Sequence, residues 1–240
     1  MATQLQAKYL VPNLITAASL VLGFLSLIAA AEGHFRRAVV MLFFAGICDL
    51  LDGRLARLLD AGSAFGGELD SLCDGSSFGV VPAALVYFAV LRPLGWIGAA
   101  VAAIYLCCGI GRLARFNLDK SKKPSFQGIP IPVGAAYMGS FVMLRDQISP
   151  WWLALGVVLT AAMMVSTVKV PGFKGGAKSL HWSLLVLCIA LCVVFLIWPT
   201  AWTWHLWNGF GWSLIGLNYL VVHRHDRRDA ATPSSGASAA

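Results

Sequence analysis

The sequence predicts an all-α integral membrane protein, a polytopic helical bundle of about eight transmembrane helices. Of its 240 residues 58% are hydrophobic and only 12% charged, and apolar runs recur along nearly the whole chain with short polar loops between them. Soluble domains carry roughly 25% charged residues. A mean hydropathy of +0.75 makes lipid the solvent.

A bilayer core needs roughly 20 apolar residues per helix, which places spans at 10–31, 36–59, 72–91, 95–116, 130–145, 150–168, 182–198 and 204–222. The first follows a single early cation, Lys8, and has no A-x-A cleavage pattern after it, so it reads as a retained helix and not a signal peptide. The fifth is short and opens on Pro130 and Pro132, which suit a helix start and not its interior. Trp198, Trp202, Trp204 and Trp207 lie between the last two spans as an interfacial aromatic belt. Residues 1–228 form one membrane domain, and 229–240, rich in Ala and Ser, form a disordered tail. His181, His205, His223 and His225 read as structural or interfacial. Cys48, Cys73, Cys107, Cys108, Cys188 and Cys192 contain no C-x-x-C pair and behave as small buried apolar residues, not as disulfides or zinc ligands.

The net charge of +7 does not form the basic stripe that nucleic acid requires, so no nucleic-acid partner is expected. The cations collect in loops, which is a topology signal. With the N-terminus inside, Lys8, Arg54, Arg57, Arg112, Arg115, Lys120, Lys122, Lys123, Lys169, Lys174, Lys178, Arg224, Arg227 and Arg228 face the cytoplasm. Only Arg36, Arg37, Arg92 and Arg145 lie outside. The positive-inside bias then puts both termini and the chemistry on the cytoplasmic side of a cell (inner) membrane.

That chemistry lies in CDLLDGRLARLLDAGSAFGGELDSLCDGSSFG, residues 48–79. Asp49 and Asp52 are three apart near the end of span two, and Asp70 and Asp74 four apart near the start of span three, so each pair shares a helix face. A turn near Gly62 to Gly67 lets the helices run antiparallel and the carboxylates converge. An aspartate at a helix centre costs about 2.5–3.5 kcal/mol to insert, so four together require a cation. Hard oxygen ligands select magnesium, manganese or calcium over zinc, and two such ions about 3.5–4 Å apart serve in-line displacement at phosphorus.

Two rival readings exist. The aspartates could cap helices or pair with Arg54 and Arg57, or they could mark a cation transport pathway. Transport sites lie near the midplane, often in related halves; these carboxylates cluster near one surface and no second half repeats them. Gly53 and Ala56 leave room for a ligand against the helix, and Arg57 can meet a phosphate bidentately.

The order Asp49, two residues, Asp52-Gly53, two residues, Ala56-Arg57, eight residues, Gly66, three residues, Asp70, three residues, Asp74 resembles the full signature of the CDP-alcohol phosphotransferases. The resemblance implies a six-helix catalytic core, two divalent ions (Mg2+ or Mn2+) at its cytoplasmic end, a CDP-linked lipid donor and a homodimer. By position Asp49, Asp52 and Asp70 resemble the metal ligands. Asp74 resembles a residue that touches the second metal and acts as general base. Gly53, Arg57 and Ser63 match positions that bind the CDP-lipid, and Asn13 and Thr16 in VPNLIT resemble the segment lining the cytidine pocket.

GRLARFN (111–117), FQGIPIPVGAA (126–136) and MVSTVKVPGFK (164–174) resemble the phosphatidylserine synthase branch of that family. The implied reaction is CDP-diacylglycerol plus L-serine to phosphatidylserine plus CMP. Glycerol 3-phosphate and inositol 1-phosphate are the alternative acceptors, and both would require a denser basic pocket. Arg112, Arg115, Asn117 and Lys169 offer partners for the carboxylate and ammonium of an amino acid, with membrane anchoring or lipid-phosphate binding as the rival role of the two arginines.

Overall fold

The computed structural model describes residues 2–118, 125–167, 169–171, 190, 193–194 and 197–198. Two units are distinguished, Met1–Ser121 with Gly128–Ser166, and Lys122–Gln127 with Thr167–Ala240. Of the last two expected spans only the few positions named are described, and 204–222, the histidines at 181, 205, 223 and 225, three of the four clustered tryptophans, Cys188 and Cys192, and the tail lie outside the described residues.

The first unit is helical. Helix α1, Ala2–Ala31, is apolar through most of its length and ends where Gly33 takes φ 81°. There the Gly33 N–H donates to the Ala30 carbonyl (3.1 Å) and the His34 N–H to that of Ala29 (2.8 Å), a left-handed cap that satisfies the last carbonyls. Helix α2, Phe35–Leu58, carries Asp49, Asp52, Arg54 and Arg57. It ends on Asp60 at φ 47°, with the Ala61 N–H donating to the Ala56 carbonyl at 2.8 Å. Aspartate tolerates this conformation better than most residues, so the cap forms without glycine. Three residues later Ser63 starts α3, Ala64–Asp74, by accepting the Gly66 N–H at 3.0 Å.

From Asp74 the chain remains helical but leaves regular α geometry. It passes a π-helical turn at Gly75–Val80, helix α4 at Val81–Val86, a second π-helical turn at Tyr87–Leu91 and a 3-10 turn at Arg92–Leu94 before α5, Gly95–Leu118. A straight helix over Ala64–Leu118 would measure about 80 Å, well over twice a bilayer core. Gly95, at φ 58° and ψ −130°, breaks the run instead. Helix α6, Ile131–Met143, has Pro130 as its N-cap and Pro132 in its first turn, where a missing N–H costs nothing. Helix α7 is Pro150–Val165.

Lys8–Ala31 and Ala64–Leu118 are long and apolar enough to cross a membrane. Helices α1 and α2 pack along each other through small residues and hydroxyls: Ser19 donates to the Ala45 carbonyl at 2.9 Å and Ser26 to that of Ala38 at 2.7 Å. Such contacts replace the hydrophobic effect where the solvent is itself apolar. Buried Leu85, Tyr105, Ile131, Met138, Val157 and Met164 fill the space between α4, α5, α6 and α7, whereas Leu14, Val21, Phe24 and Ile28 stay exposed along α1. An exposed apolar stripe of that length is what lipid contact requires.

In the second unit β1, Ser125–Gln127, pairs antiparallel with β2, Lys169–Pro171, with Phe126 opposite Val170. This short ladder qualifies the all-α expectation; it joins two loop segments that the sequence reading left without regular structure.

Candidate active site

The turn between α2 and α3 brings three of the four signature aspartates together. One carboxylate oxygen from each of Asp49, Asp70 and Asp74 lies within 4.8 Å of the others. Asp49 of α2 thus meets the i, i+4 pair of α3, with α1 packed against both helices.

Asp52 lies outside this group of three. It is only 3% exposed and accepts a hydrogen bond from the Thr16 hydroxyl at 2.6 Å, while the same hydroxyl lies 3.1 Å from the Pro12 carbonyl. A short bond to a carboxylate is of the charge-assisted kind. It ties α1 to the acidic face of α2, a link that the sequence reading of Thr16 did not contain.

Asn13 completes the α1 contribution. A Cβ built on Gly66 would lie 3.0 Å from the Ser63 Oγ and 3.1 Å from the Asn13 Oδ1, so the absence of a side chain at Gly66 lets α1 approach the start of α3. Ser63, expected to bind the CDP-lipid, is the N-cap of α3 and its hydroxyl is engaged by the Gly66 N–H. A Cβ on Gly53 would meet nothing within 4 Å, and Arg57 is exposed one turn beyond. An open backbone with an exposed guanidinium beside it suits a phosphate ligand.

Helix α5 supplies the basic side. Arg112 is 7% exposed, its guanidinium lies 5.6 Å from the Phe116 ring centroid, and its buried Nε has no hydrogen-bond partner. A buried guanidinium with an unused donor is costly unless something binds it. Arg115, expected beside the acceptor, instead donates to the carbonyls of Val165 (3.1 Å), Met164 (3.3 Å) and Ser166 (3.4 Å). It caps the C-terminus of α7, where orphan carbonyls and the helix dipole favour a cation. Asn117 pairs with Ser71 of α3: its amide donates to the Ser71 Oγ at 3.0 Å. Ser71 therefore joins the acidic helix to α5, and no sequence signal marked it. Lys169 falls on β2 in the second unit.

Three clustered carboxylates are hard oxygen donors, and without a cation their mutual repulsion would oppose this packing. The donor set fits a hard divalent cation.

Residues 9–168 match the family model described as CDP-alcohol phosphatidyltransferase. The chain belongs to the CDP-alcohol phosphatidyltransferase family. The matched range runs from within α1 to the end of α7 and includes every signature aspartate. Relatives include a CDP-diacylglycerol--serine O-phosphatidyltransferase of Helicobacter pylori (strain J99 / ATCC 700824), 42% identical over 195 residues, covering 78% of this chain and 82% of the relative. The Bacillus subtilis (strain 168) protein of the same description is 37% identical over 164 residues, 68% of this chain and 91% of its own. An archaetidylserine synthase of Methanothermobacter thermautotrophicus is 33% identical over 171 residues, 70% of this chain and 72% of the relative.

Proposed function

We propose that this membrane enzyme transfers a phosphatidyl group from CDP-diacylglycerol to the hydroxyl of L-serine, giving phosphatidylserine and CMP. The observation that carries the reading is the convergence of Asp49, Asp70 and Asp74 within a chain of this family. Relatives described as serine transferases support the acceptor.

Asp49, Asp52, Asp70 and Asp74 would hold two divalent ions, Mg2+ or Mn2+, which supply Lewis-acid stabilisation of charge at the phosphoryl oxygens. Arg57 grips the donor phosphates from the open end of α2, and Asn13 and Thr16 line the cytidine side. Arg112 offers its unused Nε–H to the serine carboxylate. Asp74 accepts the proton of the serine hydroxyl at a carboxylate oxygen as the serine oxygen bonds to the lipid-side phosphorus, and the bond from that phosphorus to the bridging oxygen breaks to release CMP. The centre faces the cytoplasm, both termini lie on that side, eight helices span the membrane, and the enzyme is a homodimer.

The acceptor is tested by giving purified protein CDP-diacylglycerol with serine, glycerol 3-phosphate, inositol 1-phosphate or choline. CMP release with serine well above the other three is expected; preference for either phosphorylated acceptor would replace serine in this reading.

A further inference from the structure

The helix that carries Asp70 and Asp74 contains a fault four residues beyond Asp74. In an α-helix the carbonyl of Phe78 accepts from the N–H of residue 82, and in a π-helix it is the carbonyl of Ser77 that does so. Residue 82 is proline and has no N–H. The next donor upstream is already used, since the Val81 N–H bonds the Ser76 carbonyl in the π register. The carbonyl of Ser77 thus lacks both helical donors, and that of Phe78 its α-helical one, at the point where the chain passes from π to α geometry.

The deficit is met from another helix. Tyr105 of α5 is 0% exposed, and its hydroxyl donates to the Phe78 carbonyl at 3.0 Å. Pro82 is also fully buried, so water cannot serve instead, and a buried carbonyl without a donor is expensive. Gly134 of α6 borders the same site: a Cβ there would strike the Met164 Cε first and lie 3.3 Å from the Tyr105 hydroxyl oxygen.

We infer that Tyr105 is a positioning residue, whose hydroxyl replaces the donor missing at Pro82 and so fixes the π-helical turn that presents Asp70 and Asp74 to Asp49. A π turn rotates and shortens the helix relative to α geometry, so losing its stabilising bond lets the segment bearing Asp74 change register against α2. The inference rests on the reading of the aspartates as a metal centre, but not on the identity of the acceptor.

The test is Mn2+ binding by calorimetry to the purified full-length protein without either substrate, together with thermal unfolding. Tyr105→Phe removes one neutral hydrogen bond, worth about 1 kcal/mol, and should weaken Mn2+ binding by about fivefold. Pro82→Ala restores an N–H at the position the helix lacks, so Tyr105→Phe/Pro82→Ala should recover most of that loss. A Tyr105→Phe protein that unfolds at lower temperature yet binds Mn2+ like the parent would reduce Tyr105 to a packing role and overturn the inference, as would a double variant with no recovery. If Tyr105→Phe cannot be purified folded, the double variant decides: folded with near-parental Mn2+ affinity supports the inference, and failure to fold overturns it. A parent that binds Mn2+ but does not use serine would refute the acceptor assignment and leave this comparison intact.

Discussion

The Thr16 hydroxyl lies 2.6 Å from the Asp52 carboxylate, joining helices α1 and α2 by a hydrogen bond across 36 positions of sequence. Hydrogen bonds to charged groups contribute about 1.5–3 kcal/mol, and Asp52 is too buried to take a replacement donor from water. Thr16→Val keeps the shape and removes the donor, so it should lower turnover by about tenfold or more, while Thr16→Ser should retain most activity. Initial rates of CMP release for the two variants check this; equal rates would make the bond incidental.

Asp49→Asn, Asp52→Asn and Asp70→Asn should each abolish CMP release while the protein still purifies as a folded membrane protein. An amide is a weaker and uncharged ligand for a hard cation. The measurement is turnover at saturating metal beside thermal unfolding, and near-normal turnover in any of the three would contradict its assignment as a ligand.

Asp74 and Arg57 should separate catalysis from donor binding. A general-base contact contributes about 10²–10⁴ in rate, so Asp74→Asn should lose turnover on that scale yet keep affinity for CDP-diacylglycerol. Arg57→Lys should weaken donor binding, because an ammonium cannot reproduce the planar fork of a guanidinium. Donor affinity by calorimetry beside initial rates distinguishes them, and the opposite pattern would exchange the two roles.

The basic loops should face the cytoplasm. Single cysteines at Ser121 and Ser235, in a background lacking the native cysteines, should resist a membrane-impermeant reagent in intact cells and react once the membrane is opened. Labelling from outside at either position would revise the proposed topology.

Part of the acidic centre was legible because its spacing is local: a separation of four residues puts Asp70 and Asp74 on one helix face. The turn was expected over Gly62 to Gly67, but α3 already begins at Ala64, and Asp52 lies outside the group of three, bonded to Thr16. Helices α1, α2, α5, α6 and α7 overlap the apolar runs read as spans one, two, four, five and six, whereas α3 begins at Ala64, eight residues ahead of the third run. What distant pairing decides was not legible. Arg115 and the α7 carbonyls it caps are 49 to 51 positions apart, so that contact left no local signal. Asn117 meets Ser71 46 positions away, and the β1–β2 ladder joins two three-residue segments too short for a periodic signal. Pro82 was visible, but whether the chain kinks there or passes through a π turn depends on Tyr105, which belongs to another helix.

The central claim is that the carboxylate centre joins CDP-diacylglycerol to serine, and it is tested most directly by following labelled serine into lipid with purified, metal-stripped protein. On addition of Mg2+ or Mn2+, label should enter the chloroform-extractable fraction in equal amount to the CMP released, and Asp70→Asn should show neither product. CMP release without lipid label, or equal turnover before the divalent ion is added, would contradict the account.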